Sequence, residues 1–332
     1  MLVSWNSTNQ CNMFCDHCYR DAGAKLDDEL STEEAKKLIR EIKAAGFKIM
    51  IFSGGESIMR PDIFELGSYA TAAGLRAVLG TNGTLITEET AYKLKQAGFM
   101  AAGVSLDSLD AEKNDQFRKM ENAHDLAIQG MLNLKKVGLP FQIHTTVMDW
   151  NVDELESITD FAIEIGAMAH HVFFLVPTGR AVNIEEEALR KVEYEKTITR
   201  LMKKQTEVGI EIKPTCAPQF MRIAKQKNIP VRFSRGCLAG ISYCIISPKG
   251  DVQPCAYLDI AVGNVKEKPF DEIWRESQMF KELRSMQYEG KCGSCDYIDS
   301  CGGCRARAYY YTQGNYMAQD DWCLYKPRGV CK

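Results

Sequence analysis

The feature that most constrains this chain is the placement of its cysteines. Of 13 cysteines in 332 residues, Cys11, Cys15 and Cys18 stand together, and none follows until Cys216. All the others lie beyond that point. An odd count distributed this way does not describe the disulfide framework of a small secreted domain. Thiolates are the ligands of iron–sulfur clusters and of soft-metal sites, so the chain reads as having two metal-binding regions far apart in sequence.

Composition excludes several other classes. The formal net charge is -3 with no conspicuous Lys/Arg run, so neither a nucleic acid nor an anionic membrane is an expected partner. The longest apolar stretch, Val172 to Pro177, is far too short to span a bilayer. The opening MLVSWNSTNQC lacks the charged and apolar regions of a signal peptide, and the expected location is the cytoplasm.

From residue 2 to about 176, short apolar runs alternate with amphipathic stretches. The runs lie at 2–5, 48–53, 75–80, 101–106, 141–147 and 171–176. Helix-like segments fall at 31–46, 61–73, 87–97, 122–137 and 153–165. In the first of these Ser31 is the N-cap, Glu34 completes a capping box and Gly46 ends the helix. This alternation predicts an α/β fold with a parallel sheet. Six βα units make a partial (β/α)6 barrel, since a full barrel takes eight. The domain reading is a core over 1–184, a helical connector over 185–232 and a small Cys-rich domain over 233–332. The last segment is poor in long apolar runs, and bound clusters would supply the missing stability.

Cys11-x3-Cys15-x2-Cys18 directly follows the first predicted strand. Three thiolates can hold one cluster and leave one iron open for a ligand, as catalytic metal sites keep a position free. A structural zinc site with His17 as fourth ligand is the alternative. Gly54-Gly55-Glu56, Thr81-Asn82-Gly83 and Ser105-Leu106-Asp107 end the next three strands, where βα barrels build their sites, and Arg118 follows. The later cysteines run Cys237-x6-Cys244-x10-Cys255, then Cys292-x2-Cys295-x5-Cys301-x2-Cys304, then Cys323. A zinc ribbon is the competing reading of the two CxxC pairs, but it leaves the surplus cysteines unexplained.

CxxxCxxC at that place resembles the signature of the radical S-adenosylmethionine (SAM) superfamily, and the resemblance covers essentially the whole chain. It implies a [4Fe–4S] cluster on Cys11, Cys15 and Cys18, with His17 against the adenine of SAM. It also implies the methionyl amine at Gly54, Gly55 and Glu56, the SAM carboxylate at Ser105 and Arg118, and a ribose pocket shaped by Asn82 and Asp107. Ser57 stands where the family usually has proline. The C-terminal pattern is similar to the SPASM extension, which implies two auxiliary [4Fe–4S] clusters. One would take Cys237, Cys244, Cys255 and Cys304, the other Cys292, Cys295, Cys301 and Cys323. Cys301-x2-Cys304 is one residue shorter than the family spacing. Cys216 and Cys331 receive no role.

The stretches VSWN-x-T-x-QCNM-x-CDHCYRDAG, FFLVPTGRA and CGGCRARAYY resemble the branch that makes haem by the sirohaem-dependent route. Within it, PTGRA most resembles the members that convert iron-coproporphyrin III (coprohaem) to protohaem. The resemblance implies oxidative decarboxylation of two propionates to vinyls through a 5′-deoxyadenosyl radical, with ferredoxin or flavodoxin as electron donor. Arg180, Arg305 and Arg307 are candidates for the propionates, because guanidinium binds carboxylate bidentately. His170 and His171, with His144, are candidates for the tetrapyrrole site. The alternatives are didecarboxysirohaem deacetylation, a haem d1 precursor step, a peptide-modifying maturase and a non-enzymatic electron carrier.

Overall fold

The computed structural model describes residues 1–327, so Cys331 lies outside the described residues. The six apolar runs are strands β1 (Leu2–Asn6), β2 (Ile49–Ser53), β3 (Arg76–Thr81), β4 (Ala101–Ser105), β5 (Phe141–Val147) and β6 (Ala169–Phe174). Between them lie α1 (Thr32–Ala44), α2 (Ile63–Ala72), α3 (Glu88–Gln96), α4 (Ala111–Arg118), α5 (Ala123–Lys136) and α6 (Leu155–Ile165). Helix α1 starts where the sequence says it should. The Ser31 hydroxyl accepts from the Glu34 amide, and the Glu34 side chain accepts from Ser31.

The connector is not purely helical. It holds α7 (Lys191–Gln205), strand β7 (Glu211–Thr215) and α8 (Phe220–Lys227). β7 pairs in parallel with β6, so the parallel run of consecutive strands has seven members. Beyond it come β8 (Tyr243–Ile246), β9 (Val252–Gln253), α9 (Phe270–Glu276), α10 (Gln278–Ser285), α11 (Gly290–Gly293) and α12 (Arg305–Tyr311). β8 pairs in parallel with β1, and β9 closes antiparallel on β8, giving the order β7-β6-β5-β4-β3-β2-β1-β8-β9. The sheet is therefore open between β7 and β9, and the Cys-rich segment extends it through β8.

Side chains alternate across this sheet. One face carries Val3, Trp5, Met50, Phe52, Leu79, Val104 and Ile143, all buried in the apolar core. The opposite face mixes apolar residues such as Ile51, Val78 and Phe173 with a polar row. Register pairing lines up Ser105, His144, His171 and Lys213 across β4 to β7. Gly103 has no Cβ for a reason, since one would stand 2.3 Å from the His144 ring. Among the described residues, no helix is long and apolar enough to cross a membrane.

Candidate functional site: a cluster loop and a thiol-rich domain

The loop after β1 carries Cys11, Cys15 and Cys18 and rests on the end of β2. The Gly55 amide donates to the Thr8 carbonyl at 2.8 Å, and the Glu56 amide to the Gln10 carbonyl at 2.8 Å. A Cβ on Gly54 would come within 2.4 Å of the Thr8 oxygen, and one on Gly55 within 2.3 Å of the Gln10 oxygen. The glycine pair is thus required for backbone to meet backbone at the cysteine loop. Arg180 fixes the far side of that loop. Its side chain donates to the Cys15 carbonyl at 2.9 Å, the Ala22 carbonyl at 2.9 Å and the Asp21 carboxylate at 2.7 Å. A guanidinium committed this way positions the loop, so Arg180 is withdrawn as a propionate ligand.

His17 stacks on Phe117 with ring centroids 4.1 Å apart. Burial pulls its pKa down to about 4, against the pull of Asp107, so the ring is neutral at physiological pH. Asp107 is fully buried, accepts from Arg118 at 2.6 Å and from the Thr146 amide at 2.7 Å. Asn82 ties back to the cysteine loop by donating to Asn12 at 2.8 Å, while Ser105 donates to the Thr81 carbonyl at 3.3 Å. Burial raises the Cys11 and Cys15 thiols, the latter to about 12, with Arg180 near the first and Arg118 near the second opposing it.

This arrangement fits a polar cofactor at the ends of β1 to β4. Asn6 Nδ2, His17 Nδ1 and Arg118 Nε are buried here with no protein partner. Natural proteins rarely leave such atoms orphaned without a ligand to complete them. Glu56 is a fully buried carboxylate that accepts from Thr81, from the Asn82 amide at 2.8 Å and from the Ile58 amide at 3.2 Å. Burial raises its pKa and those donors oppose the rise; no cation pairs with it among the described residues. Glu56→Ala is expected to weaken SAM binding roughly 10–100-fold, the scale of a hydrogen bond to a charged group, with iron content unchanged. Anaerobic equilibrium binding would check this, and unaltered affinity would remove Glu56 from the site.

In the C-terminal segment, Cys292, Cys295, Cys301 and Cys323 line one cavity, with Gln219, Arg222 and Lys291 in its wall. The short spacing before Cys304 is accommodated by Gly302 and Gly303 at φ +76 and +60. Two successive left-handed residues turn the chain within one step, sending Cys301 into that cavity while Cys304 caps α12. Cys304 shares its surroundings with Cys237, and Cys255 with both of them. Cys244 is not brought to them. It sits fully buried in the apolar core on β8, paired with Val3. Among the described residues, no three His, Cys, Asp or Glu side chains converge as ligands of a single ion would.

The remaining candidates divide sharply. Arg305 is buried, stacks on Tyr288 and donates to the Tyr316 carbonyl at 3.1 Å and the Ala318 carbonyl at 2.7 Å. Arg307 is buried against Asp320 at 3.0 Å, between Tyr194 and Trp322. Neither reaches a substrate face, so both are withdrawn as propionate ligands. His170 points into the core, bonded to Thr159 at 2.8 Å and Thr145 at 3.0 Å, and is also withdrawn. His171 lies on the polar face, stacked 5.5 Å from His144 with Gln142 bridging them. Sequence reasoning missed Asn12, Phe117, Thr146 and Lys213. Lys213 was hidden inside the supposed helical connector.

A family model described as the radical SAM superfamily matches residues 5–162, and one described as an iron–sulfur cluster-binding domain (SPASM) matches 237–305. The chain is 42% identical to a protein of Methanosarcina barkeri named AdoMet-dependent heme synthase, over 98% of this chain and 97% of that one. The chain belongs to the radical SAM superfamily. It is a radical SAM enzyme with a SPASM domain, binding SAM and a [4Fe–4S] cluster in the first region and iron–sulfur in the second. It is also 33% identical to the Fe-coproporphyrin III synthase of the same organism, over 97% of this chain and 87% of that one. The fold of this radical SAM enzyme is that of Streptococcus suis SuiB bound to S-adenosylmethionine. The TM-score is 0.76 at 18% identity, over 98% of this chain and 77% of the other.

Proposed function

We propose that the enzyme oxidatively decarboxylates the two propionates of coprohaem to vinyls, giving protohaem. The observation that carries this reading is the full-length 42% identity to the M. barkeri AdoMet-dependent heme synthase. The polar face supports it chemically. His144 and His171 are both held neutral by burial, the state in which imidazole binds a metal or accepts a hydrogen bond. Lys213, beside His171 in register and without an ion pair among the described residues, is the cation for a propionate. Burial lowers its pKa, so a carboxylate neighbour would be welcome there.

Cys11, Cys15 and Cys18 would hold the cluster that, when bound, delivers one electron to SAM and yields the 5′-deoxyadenosyl radical. The chain's own residues do the rest. His17 and Phe117 give an apolar wall for the adenine, and the Asp107–Arg118 pair sets the wall's edge. A propionate held at Lys213 loses a hydrogen atom from its β-carbon to form 5′-deoxyadenosine. The bond between the α-carbon and the carboxylate then breaks, the α- and β-carbons become the vinyl group, and carbon dioxide and one electron leave. That electron needs an oxidised acceptor, a role that iron–sulfur held by the cysteines of the thiol-rich domain would fill. One SAM is consumed per vinyl, and the electron spent equals the electron returned. Reduced ferredoxin or flavodoxin is the proposed first donor.

Anaerobic incubation with SAM, dithionite and coprohaem tests this by mass spectrometry. The expected product has lost two carbon dioxide molecules. Cys292→Ala or Cys295→Ala is expected to cleave SAM still but stall before vinyl formation, because the substrate electron has no acceptor. Turnover of didecarboxysirohaem or of a peptide, with coprohaem untouched, would replace this reading.

A further inference from the structure

We propose that His144 presents its Nδ1–H to a carboxylate of the substrate, and that Glu211 fixes this tautomer through His171 and Gln142. The identity of the ligand rests on the tetrapyrrole reading; the tautomer does not.

Two steps along the same strands build the arrangement. Ser105, His144, His171 and Lys213 stand side by side across β4 to β7. Gln142 and Glu211 lie two residues earlier on β5 and β7, and on the same face, because side chains repeat every second residue. The strands are parallel, so both lie on the side of the row away from the strand ends that carry the cysteine loop. The His144 ring is held on three sides. Gly103 lies under it, His171 stacks beside it within 6° of parallel, and Phe173 packs against it with centroids 5.1 Å apart. A ring packed in this way keeps its two nitrogens in fixed directions.

The hydrogen bonds then decide where the protons sit. His171 Nε2 is 3.3 Å from a Glu211 carboxylate oxygen, and that hydrogen bond holds the Glu211 carboxyl below its ordinary range. An ionised carboxylate only accepts, so His171 Nε2 carries the proton. Burial keeps His171 neutral, which leaves its Nδ1 bare. The Gln142 atom that meets this bare nitrogen at 3.4 Å is therefore the amide nitrogen. The same atom lies 2.6 Å from His144 Nε2 and gives it the second hydrogen. With Nε2 accepting, a neutral His144 carries its proton on Nδ1, which has no partner among the described residues. Gln142 thus occupies both bare imidazole nitrogens, and neither is left for iron. What the row offers is donors. The Ser105 hydroxyl is committed to the Thr81 carbonyl at 3.3 Å, which leaves the His144 Nδ1–H and the Lys213 ammonium, resting 4.5 Å over the Phe233 ring. A propionate carries the acceptors that both lack. Glu211 and Gln142 are positioning residues, acting through His144.

The test uses full-length protein, reconstituted anaerobically and labelled with nitrogen-15 in the rings of its five histidines. Ring-nitrogen NMR spectra are expected to show His144 protonated at Nδ1 and His171 at Nε2. Gln142→Glu, whose carboxylate only accepts, is expected to move the His144 proton to Nε2, and Glu211→Gln to leave both tautomers populated. A His144 protonated at Nε2 in the unmodified chain, or an unchanged His144 tautomer in either variant, overturns the assignment. Binding is followed by absorbance with two probes, coprohaem and iron-free coproporphyrin III. Equal affinity for the two is expected, and His144→Ala is expected to weaken both about 10–100-fold, the scale of a hydrogen bond to a charged group. His144→Gln keeps an N–H donor and is expected to lose less. A loss confined to coprohaem would put His144 on iron and overturn the proposal. Binding of neither probe to the unmodified chain would end the tetrapyrrole reading, while the histidine spectra still decide the tautomers.

Discussion

Replacing Cys11, Cys15 and Cys18 together by Ala is expected to abolish 5′-deoxyadenosine formation while leaving about two thirds of the iron, eight of twelve atoms if all three clusters are cubanes. The separation of the two thiol groups carries the second half of this expectation. The cysteine loop meets the thiol-rich domain at Arg20, which donates to Gln253 at 3.1 Å, but the backbone anchors of Cys237 and Cys304 lie elsewhere. Cys237 is tied to Cys301, and Cys304 to Asp320. The loop is anchored instead by Gly55, Glu56 and Arg180. Removing three half-buried thiols from a loop with its own supports should leave the sheet formed. Iron analysis and chromatographic assay of 5′-deoxyadenosine, on the same preparation, check both halves. Residual 5′-deoxyadenosine in the triple variant would show that the electron enters SAM elsewhere.

Much of the fold was legible because it follows from apolar periodicity. Every predicted strand of the core lies within two residues of an observed one, since each buries an apolar face under helices. What was missed lacks that signal. β7 reads EIKPT, with Glu211 and Lys213 on the polar face and a proline inside, so no apolar run marks it. Helix α4, AEKNDQFR, is almost entirely polar, and Asn114, Phe117 and Arg118 are its residues that turn in to the site.

The site was legible to a different degree at each residue. Motif spacing sufficed for Gly54 and Gly55, because close backbone approach dictates a residue without a Cβ there. It failed for the arginines, since a guanidinium's partner is set by tertiary contact. Arg180, Arg305 and Arg307 each turn inward to carbonyls or to Asp320. Adjacent histidines posed a question that strand geometry answers. His170 and His171 cannot face the same side of β6, and the apolar requirement of the core decides which one turns in. Register then adds Lys213 and His144 to His171, a row drawn from three strands that no local sequence window contains.

Asp320→Ala is expected to destabilise the protein by about 3–5 kcal/mol, the cost of leaving a buried charge without its partner. Asp320 and Arg307 are both completely buried, joined by paired hydrogen bonds of 3.0 Å each. Burial alone would raise the Asp320 carboxyl, yet Arg307 and the donors of Cys304 and Gln219 hold it at about 2. Removing it strands the guanidinium between Tyr194 and Trp322 and leaves the Cys304 amide and the Gln219 amide group without acceptors. A loss of that size is a large share of the roughly 5–15 kcal/mol that holds a domain folded. Asp320→Asn should cost less, because it keeps an acceptor for one of these donors while losing the charge. Urea unfolding of the iron-loaded protein, followed by circular dichroism, measures the difference. An Asp320→Ala midpoint equal to that of the unmodified chain would mean that Arg307 finds another counter-charge, and that the tie between the Cys304 turn and the segment at Gln219 is dispensable.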